Sequence, residues 1–367
     1  MTKKTQNMNK GSKNIFRAKV DLLVLYIMSK GFSLAIAFML SFPKRERMSH
    51  NNGIAGTGTI RIVDNPEFPP HDFFEPGKVY PARIRHAMIT FLDDAMNGVR
   101  SIAIKFSHHH FNSPFDLEMN TGEISLFWSC ASFLKFATMR KEAWGIQYQE
   151  FYRKYPAALQ GAIETLRREP SSFTNLKYYN KTPYLFIGKD GIKRYAKYRV
   201  IPFIDQPETG LNLPTDEYTI ANQRIFTGET RGRNYLKNEF EERVKREGAK
   251  YRIQIQTRIS QDDEDPIIFN NMVPWEIEKY PYHDLAVIDI DTALGWEESL
   301  KTSFNIGHVP ANLGLIPPTS IYDYNSLNYM RAHSKIARKA RLFSYKVWGY
   351  PPPIPDNDNR NAEDWGV

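Results

Sequence analysis

The chain has a single cysteine, Cys130, in 367 residues. No internal disulfide can form, which fits a reducing compartment or indifference to redox. A lone cysteine of this kind is read as a small buried hydrophobe. There is no basic tail and no alternation of aromatic and basic residues, although the net charge is +8. The lysines and arginines are scattered, so nucleic acid is not expected as a partner. The positive balance still favours anionic partners such as fatty carboxylates and membrane surfaces. No apolar run is long and unbroken: the stretch 20–42 is interrupted by Lys30-Gly31 into pieces of about ten residues, each too short for a bilayer. It also lies too far in, and lacks the small-residue cleavage site, to read as a signal peptide. No internal repeat is present. Gly53, Gly56 and Gly58 lead into a strand pattern, which excludes a phosphate-cradling loop because that needs a helix start behind its glycines. Three adjacent histidines, His108 to His110, cannot all face one metal from a strand or helix and read as a solvated loop.

What is present is a set of half-buried strands with helices between them. Arg100 to Phe106, Arg194 to Pro202 and Tyr251 to Thr257 alternate apolar and polar side chains, the mark of a strand with one face in a core. Arg83 to Leu92 and Leu285 to Ile290 also read as strands. Residues 134–170 repeat apolar positions at helical spacing and stop at Glu169-Pro170. Further helices are expected over about 232–247 and 326–344. Asp64 to Lys78, rich in proline and acid, is a loop. The chain divides into a tail with an apolar segment (1–43), a folded domain (44–350) and an extended tail (351–367). Three readings stand for 20–42: a helix packed on the domain or on a second subunit, a monotopic hairpin on a membrane surface, or a spanning or signal segment. Lys44, Arg45 and Arg47 behind it suit an anionic membrane face.

Arg341 and Tyr345 stand four apart and share a helix face. A guanidinium beside a phenol favours the phenolate, and ferric haem takes such a ligand. Arg341-Leu342-Phe343-Ser344-Tyr345 resembles the proximal haem-binding signature of the catalase superfamily, where the tyrosine binds iron. Arg47-Met48-Ser49-His50, running into the glycine-rich strand, resembles that family's distal segment. It puts Arg47 on a propionate-binding arginine and His50 on the distal histidine. Arg100 to Phe106 resembles the Arg-Gly-Phe-Ala-Val-Lys-Phe strand. Phe115 to Thr121 resembles the Asp-Leu-x-Gly-Asn-Asn-Thr segment and puts Asn120 on the distal asparagine. Ile124 to Phe136 follows the family's apolar stretch, and Phe133 and Phe136 would pack on haem or, equally, in the core. Trp275 to Ile290 matches the last barrel strand, and Ser303 to Pro310 the loop before the proximal helix. The resemblance is collinear over roughly 47–350.

The resemblance implies an α+β fold: a closed antiparallel β-barrel of about eight strands, wrapped by helices, with haem b buried inside. It implies Tyr345 as the iron ligand, Arg341 as its charge partner, Arg47, Phe133 and Phe136 around the cofactor, and His50, Asn120 and Ser49 as catalytic residues. There are departures. Thr90 stands where a barrel strand carries a propionate-binding arginine, and Val347 and Pro352 replace an aspartate and a further arginine; Arg83 or Arg85 could compensate. Ser49 stands where catalases have valine. The minimal catalase-related allene oxide synthases carry a hydroxyl residue there. The expected function is therefore cleavage of the O–O bond of fatty acid hydroperoxides, of the allene oxide synthase or hydroperoxide lyase type. The alternatives are a small catalase or peroxidase acting on hydrogen peroxide, and a non-catalytic haem-binding protein. Expected partners are a lipid hydroperoxide, a lipoxygenase supplying it, a membrane surface through 20–42, and a second copy of the chain. The expected location is cytoplasmic, peripheral at a membrane.

Overall fold

Strict alternation along the chain becomes a sheet closed on itself. The computed structural model describes residues 15–88, 93–139, 146–213, 229–261 and 264–356; Thr90 lies outside the described residues. The strands in chain order are β1 (Gly53–Ile62), β2 (Val79–Met88), β3 (Gly98–Lys105), β4 (Asp116–Thr121), β5 (Leu166–Arg167), β6 (Tyr178–Tyr179), β7 (Tyr184–Ile187), β8 (Lys193–Pro202), β9 (Ala249–Ile259), β10 (Tyr282–Leu294) and β11 (Leu313–Leu315). β8, β6, β4, β3, β2, β1, β10 and β9 follow one another, and β9 pairs back onto β8. Eight antiparallel strands thus close a barrel, and closure removes the exposed edges that an open sheet would offer. β7 and β11 extend from β8, and β5 pairs with the start of β3 and bridges Leu211.

One face of every barrel strand points inward. Ile84, Ile102, Ile104, Leu117, Tyr198 and Ile253 are completely buried there in one cluster. His86 lies among them, bonded through Nε2 to the Tyr251 hydroxyl at 2.8 Å and stacked on Phe173. Burial pushes its imidazole down to about 3. β1 shifts register against β10 between Thr57 and Gly58. A Cβ on Gly58 would sit 1.9 Å from the Asp289 carbonyl oxygen, a backbone atom that cannot swing aside. Gly58→Ala is therefore expected to cost about 1–3 kcal/mol, as overpacking does, read as a lower midpoint in urea with an unchanged slope.

The helices are α1 (Ile15–Ile36), α2 (Cys130–Met139), α3 (Ile146–Lys154), α4 (Pro156–Thr165), α5 (Tyr235–Glu247), α6 (Trp296–Lys301), α7 (Ser326–Ala332) and α8 (Lys335–Trp348). Two expectations are corrected. Lys30-Gly31 does not divide the apolar segment: α1 runs through both and continues as a π-helical turn over Ala37–Ser41. The helix is continuous because its other residues hold the hydrogen-bond ladder and one mid-helix glycine costs only about 1 kcal/mol. A hairpin is thus excluded, and Lys19–Ser41 is a single helix long and apolar enough to cross a membrane. The expected helix over 326–344 is two helices, separated at His333-Ser334. Arg341 and Tyr345 both belong to the second. At the carboxyl end, residues 351–356 run back along the domain: the Pro351 carbonyl accepts from Trp296 Nε1 at 2.7 Å, and Asp356 accepts from the Asn234 amide at 3.0 Å.

Candidate functional site

The outer faces of β1 to β4 are built from small residues at the level of the predicted distal groups. Ala55 lies opposite Arg85, Arg85 opposite Ala103, and Ala103 opposite Glu118. In the next row, Gly53 faces Ala87, Ala87 faces Ser101, and Ser101 faces Asn120. Because side chains alternate across a strand, these two rows form one wall whose floor is glycine, alanine and serine. Asn120 stands at its margin, partly buried. A Cβ on Gly53 would lie 2.4 Å from the His86 carbonyl oxygen, so only glycine fits where the chain turns onto the wall.

The turn that carries His50 is closed by Asn51. Its Oδ1 accepts from the Arg47 amide at 2.6 Å, and its Nδ2 donates to the Arg47 carbonyl at 3.1 Å. His50 itself has φ of 64°, in the left-handed region that few side chains adopt and that marks functional turns when surroundings enforce it. Arg85 enforces it, donating to the His50 and Asn51 carbonyls at 2.9 and 3.1 Å. Ser49 Oγ lies 2.8 Å from His50 Nδ1. A hydroxyl can serve as donor or acceptor there, so the bond orients the ring and leaves Nε2 for chemistry. Burial, then the neighbouring Arg85 charge, push the His50 imidazole down to about 3.

Arginines converge on the far end of α6. Arg85 Nε donates to the Ser299 carbonyl at 3.0 Å, and Arg47 Nη2 to the Leu300 and Thr302 carbonyls at 2.7 and 2.6 Å. Arg83 bonds Thr302 Oγ1 at 2.8 Å, and Arg341 bonds Ser303 Oγ at 2.5 Å. The unpaired carbonyls and negative dipole end of a helix C-terminus attract such groups. The cluster nonetheless carries more positive charge than its carboxylates offset. Burial and mutual repulsion depress Arg47 well below its ordinary value and take Arg85 down to about 9. Burial takes Arg338 down to about 10. Nε of Arg47, Nε of Arg341, and both Nε and Nη2 of Arg338 are buried without a hydrogen-bond partner. Unpaired buried donors of one sign attract an anion.

Tyr345 is 5 % exposed and lies near enough to Arg341 to pull that guanidinium's burial-lowered pKa back upward. Its ring packs on Tyr350 at 4.8 Å. Arg47 links the two halves of the site. It feels the charges of Arg341 and Tyr345, and it lies within three residues of His50. Among the described residues no group of three His, Cys, Asp or Glu side chains converges on a metal position. The donor set fits haem on this evidence: a phenol beside a cation, unpaired guanidinium nitrogens for two carboxylates, and a wall of small side chains.

Several expected residues lie elsewhere or act differently. Phe133 and Phe136, on α2, have their rings against Phe32, Phe127 and Phe151 in aromatic clusters. Arg83 donates to the His108 carbonyl, Thr302 Oγ1 and Glu298 Oε2, and Arg85 to the Ser299, His50 and Asn51 carbonyls. Arg338 does offer free nitrogens. It was readable in the sequence, three residues before Arg341 and seven before Tyr345 on the same helix face. Glu118, paired with Arg331 at 2.7 Å, carries a charge felt by both His50 and Arg47 and had no sequence signal.

No family model matches the chain. Over 289 residues it is 36% identical to the allene oxide synthase-lipoxygenase protein of Plexaura homomalla, covering 78% of this chain and 27% of that one. It is 28% identical over 302 residues to the linolenate 9R-lipoxygenase of a Nostoc species, covering 77% of this chain and 37% of that one. The chain thus spans well under half the length of these curated relatives. Solved structures with the same fold include a fungal catalase (TM-score 0.60, 17% identity, 91% of this chain and 68% of that one). A bacterial catalase aligns with TM-score 0.62 at 16% identity, over 89% of this chain and 64% of that one. The chain thus has the fold of the catalases and is similar in sequence to part of an allene oxide synthase-lipoxygenase protein.

Proposed function

We propose that the chain binds haem b between the β1–β4 wall and α8 and cleaves the O–O bond of fatty acid hydroperoxides. The reaction would be of the allene oxide synthase or hydroperoxide lyase type. The observation that carries this reading is the 2.8 Å contact between Ser49 Oγ and Nδ1 of a histidine kept neutral by burial. Haem iron, when bound, supplies the electron exchange that breaks the O–O bond. Tyr345 would ligate it, with Arg341 beside the phenol, and Arg47 and Arg338 would take the propionates. His50 Nε2 would move the hydroperoxide proton between the two oxygens. Ser49 can donate to or accept from Nδ1, so it supports the imidazole in either direction; a valine could do neither. Asn120 would donate its amide N–H to the oxygen that gains charge. A relative whose name joins an allene oxide synthase to a lipoxygenase supports a lipoxygenase as the source of substrate.

The test is to load the protein with haem and add 13-hydroperoxy polyunsaturated fatty acids, following the conjugated-diene absorbance. Loss of the diene without oxygen release from hydrogen peroxide is the expected result. Rapid oxygen evolution from hydrogen peroxide would identify a small catalase, and no turnover of either would identify a haem-binding protein. Arg338 has its own check. Arg338→Leu should weaken haem binding roughly 10- to 100-fold in a Soret titration, the worth of a lost charge-assisted hydrogen bond. The same variant should bind haem dimethyl ester as the unaltered protein does.

A further inference from the structure

α1 wears its polarity reversed. Leu25, Ser29, Ser33, Ala37 and Ser41 recur every four residues and are almost completely buried. They lie against α7 and α8: Ser33 Oγ accepts from the Ala337 amide at 3.3 Å, and the Ser41 carbonyl accepts from Ser344 Oγ at 3.1 Å. The opposite face carries Leu23 (56% exposed), Ile27 (58%), Phe38 (74%) and Met39 (57%). Surface helices of soluble proteins do the opposite, hiding large apolar side chains and showing polar ones. The apolar surface continues onto α8. Phe42 stacks on Phe343 at 6.1 Å and packs on Trp348 at 4.4 Å, and Phe343, Val347 and Trp348 are about half exposed. A contiguous apolar face of this kind marks a place where water is excluded by something else.

Charge says what that is. Lys19, Lys44, Lys335, Lys339 and Lys346 are exposed on the elements that form this face, against one exposed carboxylate, Glu46, and the partly buried Asp21. We propose that this face docks on the surface of an anionic lipid bilayer, with α1 lying in the interfacial plane and the lysines against headgroup phosphates. A second copy of the chain fits less well, because a two-fold contact would bring the same lysine rim onto itself. Spanning fits less well, because it would pull Ser33 and Ser41 from their partners on α8 into hydrocarbon. The consequence for the site is direct: α8 carries Tyr345 on one side and Phe343, Val347 and Trp348 on the lipid side. The inference rests on the surface alone and holds whether or not haem binds.

The test is co-sedimentation of the full chain with phosphatidylcholine vesicles, with and without phosphatidylglycerol. The expected result is binding to the anionic vesicles that weakens as salt rises. Lys339→Glu and Lys346→Glu should each weaken it at least about fivefold, the worth of one basic residue at an anionic surface. Phe38→Glu with Met39→Glu should abolish it while leaving the melting temperature unchanged, since both side chains are exposed. Failure to sediment with any vesicle would overturn the proposal, as would a dimer that the Phe38/Met39 variant dissociates. Protein made in cells that stays in the membrane after alkaline carbonate extraction would overturn it in favour of a spanning helix.

Discussion

Tyr345→Phe should remove the proposed iron ligand while leaving the fold intact. The side chain is 5 % exposed and the change removes one oxygen, so the barrel core is untouched. Only that oxygen can bind iron at this position. Haem affinity is expected to fall by more than about 100-fold, beyond the 10- to 100-fold typical when a partner behind a metal ligand is lost. The residual complex should show a displaced Soret band. Arg341→Leu should produce the lesser effect, about 10- to 100-fold, because it leaves the phenol and removes only the group behind it. An unchanged spectrum in Tyr345→Phe would show that another residue holds the iron. An unaltered protein with no Soret band at all would instead remove the haem reading itself.

His50→Ala should leave haem binding close to that of the unaltered protein and reduce lipid hydroperoxide turnover by about 10²- to 10⁴-fold, the usual worth of a positioned proton shuttle. Its pH behaviour gives an independent check. The imidazole is held down to about 3 in the folded chain, against an ordinary value near 6.5. Turnover should therefore show no inflection near pH 6.5 from this residue. Stability should show one. The unfolded chain binds more protons than the folded one between those two values, so stability is full above about pH 6.5 and declines as pH falls toward about 3. His86, buried in the barrel and also pushed down to about 3, adds to the same decline. In urea titrations across this range, His86→Gln should flatten the slope of stability against pH. Full turnover in His50→Ala would end the proton-shuttle role.

The residues 47–350 that resemble the catalase superfamily illustrate what can be read without coordinates. Period-two alternation in Arg100 to Phe106, Arg194 to Pro202 and Tyr251 to Thr257 gave strands because one face holds the apolar barrel core and the other carries the polar side chains, although in β3 and β8 both faces are buried. Arg341 and Tyr345 share a helix face by spacing alone. The adjacent pair Ser49 and His50 needed no tertiary information to suggest a bond, since neighbours can meet through a tight turn. Arg83 and Arg85 show the limit. Their sequence positions suited carboxylate binding, but helix α6 brought its carbonyls against them, and those acceptors come from residues more than two hundred positions away.

The amino-acid order by itself determined the barrel strands, the Arg341–Tyr345 pair and the apolar character of 20–42, because each depends on periodicity or near-neighbour chemistry. Tertiary structure alone decided that β9 closes onto β8, which arginines keep unpaired nitrogens, and which face of α1 is hidden. Those outcomes depend on which distant groups meet. The serine stripe of α1 would by pattern alone be its outer side, and only packing against α7 and α8 hid it.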